Sequence, residues 1–502
     1  MEKLGALDAN FLYSETDTVF NHVASLQQFA LPQNTSASEF CNGLKTFLNG
    51  RIHLVPYLTR KIKFTPFNLD HPVWITDTEF NIENHIIEVP LDAPGSMRQL
   101  EQKVAQLHSA PMDRSKPLWA VYVITGLEDG NIAYYNQAHH ACLDGMAGQA
   151  ATMLLMDNSP DHPVHQVPAD LLDGEQKSSI NLFTMAWENL VSFQIDSVSR
   201  YLGSMESMVR VNQRAIDPSK SFGALNDVAP TTSFSRSIGA TREYACGKLS
   251  LSQTKQIGKS LDCKVNDVFM SVCAGGLRTY LLRLGVLTDT PLIAGSPVSL
   301  RKPGDKGMGN NVTMMQVNLA THLADPGTRL LAIKASANTA KEVTAELAEG
   351  YEPNVALPGL PATITATSVL NEQLSLSDVL PMPINLVISN VPGPRETLYS
   401  NGAEMLSHYP VSIPAHGLGL NITVQSYCDD LYFSITACKK ALPDASILRD
   451  DIVAAFMELK QLVLSDNVTD IIERQELQSR TQNELSGDQD SEDVAEVPTK
   501  VA

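Results

Sequence analysis

Two adjacent histidines, followed closely by an acid and a glycine, are the residues of this sequence best suited to chemistry. His139 and His140 lie in the stretch NQAHHACLDGMAG, which continues to Asp144 and Gly145. An imidazole exchanges protons near neutral pH, so either ring has the chemistry of a general base. A lone histidine in a β-strand is most often structural. Here, however, an acid follows that can fix the orientation of a ring, and a glycine follows that permits a strained backbone. The cluster therefore predicts a proton-transfer site.

The two histidines close the second strand of a predicted antiparallel hairpin. The strand-like runs WAVYVITGL and NIAYYNQAHH are separated by Glu-Asp-Gly, and Asp-Gly tolerates the positive φ of a tight turn. Side chains alternate across a strand, so His140 shares one face with Asn136 and Ala138, whereas His139 belongs to the other. One ring can enter a reaction channel while its neighbour packs behind it. The spacing does not decide which ring reacts.

Metal and thiol chemistry are the weaker interpretations of this cluster. Adjacent strand histidines diverge, and the helical H-E-x-x-H spacing of many zinc sites is absent. Seven cysteines form no C-x-x-C pair, and nothing beyond proximity activates Cys142 as a nucleophile. We therefore expect no metal ligands and a reducing, cytoplasmic setting.

Length and charge limit the class of protein. A chain of 502 residues favours two domains, and a formal charge of −19, from 37 basic against 56 acidic residues, argues against a nucleic-acid binder. The first residues lack the features of a signal peptide, and no 18-residue apolar run occurs. Residues 476–502 are acidic and poor in bulky apolar side chains, so we expect them to be disordered.

Helical and strand patterns alternate throughout, which predicts an α+β fold with mixed or antiparallel sheets flanked by helices. Helices are predicted over 37–50, 98–108, 146–156, 252–260, 266–285 and 444–465. Strands are predicted around 291–299, 313–319, 384–389 and 418–437. The polar stretch 216–241 is the expected linker between an N-terminal domain, 1–215, and a C-terminal domain, 242–470.

Five further blocks surround the histidine motif: LDANFLYSE (7–15), PLW (117–119), VNDVFMSVCAGGLRTYL (265–281), SNVPGP (389–394) and GLGLNITVQSY (417–427). HHACLDG itself fits the HHxxxDG signature of the superfamily that includes chloramphenicol acetyltransferase and peptide-synthetase condensation domains. With the other blocks in order, the chain resembles the bacterial wax ester synthase/acyl-CoA:diacylglycerol acyltransferase (WS/DGAT) family over about residues 5 to 465. Local departures are CDDLYF (428–433) and CKK (438–440), which put turn geometry and surface charge in doubt but not the reaction.

The resemblance implies two chloramphenicol acetyltransferase-like domains that face each other across a tunnel. It also selects the second histidine, His140, as the general base that takes the proton from an acceptor hydroxyl while the oxygen attacks an acyl-CoA thioester. The motif acid, Asp144, is implied to be mainly structural and commonly paired with an arginine. Arg301, in PVSLRKPG, is the expected partner.

The implied substrates are a long-chain acyl-CoA and either a fatty alcohol or diacylglycerol. No cofactor is expected, because a thioester is already activated and the protein need only position, deprotonate and exclude water. The implied location is the cytoplasmic surface of the membrane or of lipid inclusions. Two alternatives stay open: a condensation-type enzyme that uses a carrier-bound acyl group, and a non-catalytic lipid-binding protein that keeps the fold.

Four further residues each have a structural and a functional interpretation. Asn266 and Asp267 open a helix and can cap it, but the resemblance places this block beside the tunnel, where Asn266 would bind the alcohol or the oxyanion. Glu15 is by default a solvated charge, while the resemblance puts it near the catalytic histidine. Trp119 most simply anchors the start of a strand, with a channel contact as the alternative.

Two features of the chain suggest close packing or contact with lipid. Gly275 and Gly276 each cost about 1 kcal/mol within a helix, so they indicate close backbone packing or room for an acyl chain. The apolar segment 180–194 favours an interdomain helix, with a membrane-surface helix as the alternative.

Overall fold

The computed structural model of the protein describes residues 2–68, 70–161, 223–299, 312–348 and 361–464. They form two six-stranded mixed sheets, a small three-stranded sheet and helices packed against them. Arg301, the segment 180–194, and the tail 476–502 lie outside the described residues. No helix within the described ranges is long and apolar enough to cross a membrane.

In its described residues, the first part of the chain contains seven strands and four α-helices. The strands are β1 Glu2–Lys3, β2 His22–Phe29, β3 Arg60–Lys63, β4 Val73–Thr76, β5 Ile86–Pro90, β6 Trp119–Thr125 and β7 Ile132–His139. The helices are α1 Ala6–Tyr13, α2 Ala37–Asn49, α3 Met97–His108 and α4 Gly145–Leu155. The predicted hairpin is confirmed, since β6 and β7 pair antiparallel with Val121 opposite Asn136.

The second part contains eight strands and five helices in its described residues. The strands are β8 Arg242–Ser250, β9 Ile293–Ser299, β10 Val312–Asn318, β11 Leu386–Val391, β12 Tyr399–Ser400, β13 Ala403–Val411, β14 Leu420–Tyr427 and β15 Asp430–Cys438. The helices are α5 Leu251–Ser260, α6 Val265–Arg283, α7 Pro326–Ala348, α8 Pro361–Leu374 and α9 Ala445–Leu464.

The first large sheet is completed by strands from the far end of the chain. Its order is β12-β13-β2-β7-β6-β5, and β13 pairs antiparallel with β2, with Tyr409 opposite Leu26. Strands from residues 399–411, which lie within the predicted domain 242–470, thus pair with a sheet whose other strands lie within the predicted domain 1–215. Without β13, β2 would be an edge strand with unpaired backbone groups.

The second large sheet has the order β10-β9-β11-β14-β15-β8. Its β14–β15 hairpin contains the CDDLYF departure, and a two-residue turn joins Tyr427 to Asp430 with Cys428 at φ 50°. Tyr427 and Tyr432 of this sheet belong to the apolar core of the first. The two sheets are thus in direct contact.

Two helices show how the sequence pattern becomes packing. Helix α2 begins with a reciprocal capping box between Ser36 and Glu39, and it buries an apolar stripe on the first sheet. Helix α6 packs closely against α9 at its glycines. A Cβ on Gly276 would lie 2.5 Å from Ile452 Cγ1, so a larger residue would not fit there. Of the two explanations for the glycines of α6, close packing is the one observed.

The predicted linker is not devoid of apolar anchors. In its described part, residues 223–241, Phe234 and Ile238 are buried in the core of the second sheet. This part of the connection is therefore attached to the second sheet.

Candidate active site

The two histidines point to opposite sides of the first sheet. His140 is half-buried and lines a cavity of about 250 Å³, whereas His139 is 0% exposed and is not among the described residues that line it. The His140 backbone N–H donates to Asn21 O at 2.8 Å, and its ring stacks on Phe11 with centroids 4.1 Å apart. The structure therefore supplies what the spacing left open: the ring that reaches the cavity is His140.

His139 is held by two contacts on the closed side of the strand. Its Nδ1 accepts a hydrogen bond from the Ala141 backbone N–H at 3.1 Å, so the ring proton belongs on Nε2. Nε2 lies 3.2 Å from Glu15 Oε1. This ring serves as a fixed support behind the strand that carries His140.

Glu15 is an ionised, nearly buried carboxylate with three protein partners. It accepts from the Asn21 backbone N–H at 2.7 Å and from Arg114 Nη2 at 2.5 Å, besides its contact with His139. Burial alone would raise the pKa of Glu15, but its contacts with His139 and Arg114 outweigh it and lower the pKa to about 2. Glu15 therefore lies beside the histidine pair, as the resemblance implied, but on the side of His139.

Asp144 has a structural contact of the kind expected. It is 2% exposed and caps α4, since its Oδ1 accepts from the Ala147 backbone N–H at 2.8 Å. The predicted partnership with Arg301 concerns a residue outside the described ranges.

Gly145 lines the cavity and lies close to a neighbouring element. A Cβ there would stand 3.1 Å from Val391 Cγ2 of β11. The glycine is not among the described residues with positive φ, so the expected reason, a strained backbone, is wrong. Its reason is the close approach of α4 to β11.

The cavity lies where the two large sheets meet, and its lining includes both apolar and polar side chains. The apolar set, here called the apolar wall, includes Leu48, Ile52, Leu58, Trp119, Val121 and Leu155. The polar set, here called the polar wall, includes Asn136, Gln149, His408 and Gln425. Trp119 thus has both expected roles, because its indole Nε1 also donates to Leu58 O at 2.9 Å.

The polar wall is a connected network of uncharged groups. The Gln425 amide nitrogen lies 3.0 Å from His408 Nδ1 and donates to Gln149 Oε1 at 2.9 Å. Gln27, behind the wall, lies 3.1 Å from His408 Nε2 and accepts from the Asn136 amide at 2.6 Å. Burial lowers the pKa of His408 to about 3, so its ring is neutral. Sequence reasoning missed this wall: Asn136 and Gln425 lie in blocks singled out above, but no local pattern shows that their strands meet α4 and the strand of His408.

The Asn266–Asp267 block is not brought to the cavity. Lys264 is the N-cap of α6, and Asp267 accepts from the Lys264 backbone N–H at 2.9 Å, so the capping interpretation is confirmed for Asp267. Asn266 instead accepts from the Asn390 amide at 3.3 Å. Neither Asn266 nor Asp267 is among the described residues that line the cavity.

Cys142 lies in the motif but lacks the properties of a nucleophile. Burial raises the pKa of its thiol, and it is not among the described lining residues. Within the described ranges, no group of three or more histidine, cysteine or acidic side chains is placed to hold a metal ion.

Comparison with known proteins agrees with this geometry. A structure of the wax ester synthase/diacylglycerol acyltransferase from Marinobacter aquaeolei VT8 matches with a TM-score of 0.65 and 27% identity, covering 92% of this chain and 99% of that one. A starter condensation domain of rhizomide synthetase matches with a TM-score of 0.52 at 13% identity, covering 92% of this chain and 94% of that one, which shows a shared fold alone.

Relatives in sequence cover nearly the whole chain. The O-acyltransferase WSD of Acinetobacter baylyi is 32% identical, over 88% of this chain and 93% of its own. A putative diacylglycerol O-acyltransferase of Mycobacterium tuberculosis is also 32% identical, over 92% of this chain and 100% of its own.

Two family models together span most of the sequence. The wax ester synthase/diacylglycerol acyltransferase catalytic domain matches residues 4–269, and the WS/DGAT C-terminal domain matches residues 308–460. The predicted α+β fold and acyltransferase identity are confirmed. The chain belongs to the wax ester synthase/diacylglycerol acyltransferase family.

Proposed function

We propose that this enzyme transfers a long-chain acyl group from acyl-CoA to the hydroxyl of a fatty alcohol or of diacylglycerol, with His140 as the general base. The observation that carries the proposal is the His140 ring in the lining of a cavity that also contains the apolar wall. The names of the relatives support the same substrate classes. An apolar wall suits alkyl chains, because their transfer out of water is favourable.

The proposed reaction uses one imidazole in both directions. The His140 ring accepts the hydroxyl proton while the acceptor oxygen attacks the thioester carbonyl. As the carbon–sulfur bond breaks, the imidazolium returns that proton to the CoA thiolate, so the products are an ester and free CoA. A ring whose ordinary pKa lies near neutrality is suited to both transfers.

The surrounding residues would position this ring rather than react. Phe11 stacks on it, and the backbone bond to Asn21 fixes the end of β7. The Glu15–His139 pair holds the adjacent residue from behind. The thioester supplies the driving force, so the proposed mechanism calls for no metal or prosthetic group, and an enclosed site limits hydrolysis.

The proposed location is the cytoplasmic surface of the membrane or of lipid inclusions, because both acceptors dissolve in lipid. The sequence segment 180–194 is the candidate for contact with that surface. Liposome flotation with Phe183→Ser/Trp187→Ser checks this: loss of binding in a folded protein is expected, and unchanged binding would exclude that segment.

Release of free CoA from palmitoyl-CoA tests the reaction itself. Purified enzyme is expected to release CoA and form an ester with hexadecanol or dioctanoylglycerol, whereas His140→Ala should not. Formation of product only from a carrier-bound acyl group would favour the condensation-type alternative. Tight acyl-CoA binding without CoA release from any acceptor would favour a non-catalytic lipid-binding protein.

A further inference from the structure

One amide of the polar wall has hydrogen-bonding capacity that the described protein does not use. Gln149 Oε1 accepts from Gln425, but Gln149 Nε2 is buried and has no hydrogen-bond partner among the described residues. Buried donors are almost always paired in folded proteins, so an unpaired one at a cavity indicates a bound group that accepts.

The chemistry of the wall limits what that group is. Asn136, Gln149 and Gln425 carry amides, and His408 is neutral because burial lowers its pKa to about 3. No charged group of the wall would compensate a buried ionic ligand. The amide of Gln149 therefore fits an uncharged oxygen, such as a carbonyl.

The position of Gln149 relates it to the reaction centre. Helix α4 starts at Gly145, directly after the histidine motif, and Gln149 lies about 6 Å further along the helix axis. The same helix then contributes Leu155 to the apolar wall. A ligand that follows α4 from His140 thus meets a hydroxyl-binding end, a carbonyl-binding amide and then apolar surface.

We propose that Gln149 donates to an ester carbonyl of the acyl acceptor and so selects diacylglycerol over a simple alcohol. This inference rests on the proposed function. Diacylglycerol carries ester carbonyls a few covalent bonds from its reactive hydroxyl, followed by alkyl chains for the apolar wall. A fatty alcohol has no second oxygen, and the pantetheine arm of CoA is polar along its length and does not match the apolar continuation.

The test compares three acceptors with palmitoyl-CoA: dioctanoylglycerol, its dialkyl ether analogue, which lacks the carbonyls, and hexadecanol. Gln149→Met keeps the length of the side chain and removes the donor. For wild-type enzyme, kcat/KM is expected to be higher with the ester than with the ether. In Gln149→Met, the ratio of kcat/KM for the ester to that for hexadecanol should fall roughly three- to tenfold, and the preference for the ester over the ether should disappear.

Gln102→Met, on the exposed side of α3, is the matched control and should keep the wild-type preference. Equal rates of wild-type enzyme on ester and ether would overturn the inference, as would a Gln149→Met protein that keeps the preference or loses all three acceptors equally. Absence of CoA release by wild-type enzyme with every acceptor would instead refute the proposed function. Thermal unfolding of each variant shows that it is folded.

Discussion

The two faces of β7 differ in burial and in contacts, although their residues alternate along the strand. The cavity face presents Asn136, Ala138 and the reactive candidate His140 to a cavity. On the closed face, the Tyr135 hydroxyl lies 2.7 Å from His108 Nδ1, and His139 lies against Glu15. Because adjacent residues of a strand face opposite sides of the sheet, the ring of His140 is open to a ligand while that of His139 is buried and supports the strand.

The closed face also concentrates buried histidines that stay neutral. His22 lies opposite His139 in the sheet, and its ring meets that of His108 edge-on at 4.5 Å. Burial lowers the pKa of His22 well below its ordinary value and that of His108 to about 3. Neither ring nitrogen of His22 has a hydrogen-bond partner among the described residues. These two buried histidines should therefore make the fold sensitive to acid, as should the buried His408 of the polar wall.

The largest expected effect is a loss of stability in mild acid. The unfolded chain protonates its histidines below pH 6.5, whereas burial lowers the pKa of His108 to about 3 and that of His22 well below its ordinary value. As the pH is lowered below 6.5, the free energy of unfolding should thus decrease by roughly 1.4 kcal/mol per pH unit for each such histidine. Urea unfolding between pH 7 and pH 4.5 measures the slope.

His22→Leu sharpens this prediction because it removes one titrating group without removing a hydrogen bond. The slope of unfolding free energy against pH should become shallower, whatever the variant's stability at pH 7. An unchanged slope would show that His22 does not contribute.

Glu15 affects stability at lower pH than the histidines. Because folding lowers its pKa from about 4.3 to about 2, its ionised form stabilises the fold above pH 4.3, and this stabilisation is lost as the pH falls towards 2.

A smaller effect is expected from Glu15→Gln. The amide cannot retain the charge-assisted contacts to Arg114 and His139, so unfolding free energy should fall by about 1.5–3 kcal/mol. Glu83→Gln is the control, since its ion pair with Lys45 is exposed and should contribute about 0–1 kcal/mol. Urea unfolding at pH 7 checks both, and equal losses would contradict a special role for the closed face.

The smallest effect on stability should distinguish the same substitution on the two faces. Ala133 is fully buried on the closed face, so Ala133→Phe should overpack the core and destabilise it by about 1–3 kcal/mol. Ala138→Phe projects into the cavity and should leave unfolding nearly unchanged while it slows transfer of long acyl chains. Unfolding curves and CoA release with short and long acyl-CoA check the pair; similar unfolding behaviour would break the comparison.

Local patterns predicted the elements that carry the site, and long-range pairing supplied the rest. The hairpin that ends in His140 and the stripe of α2 follow from alternation and helical spacing over a few residues. The insertion of β13 beside β2 joins segments hundreds of residues apart, which no local pattern records. For the same reason, local patterns could not predict the polar wall, with His408 and Gln425. Nor could they show that position 145 needs glycine because α4 passes close to Val391.

The most direct test of the division between the two faces compares His140→Gln with His139→Gln, each measured for CoA release and for thermal unfolding. We expect His140→Gln to unfold like wild type but to lose at least about a hundredfold in CoA release. His139→Gln should unfold at a lower temperature and keep most of its activity while folded. Full activity in a folded His140→Gln protein would rule out His140 as the general base.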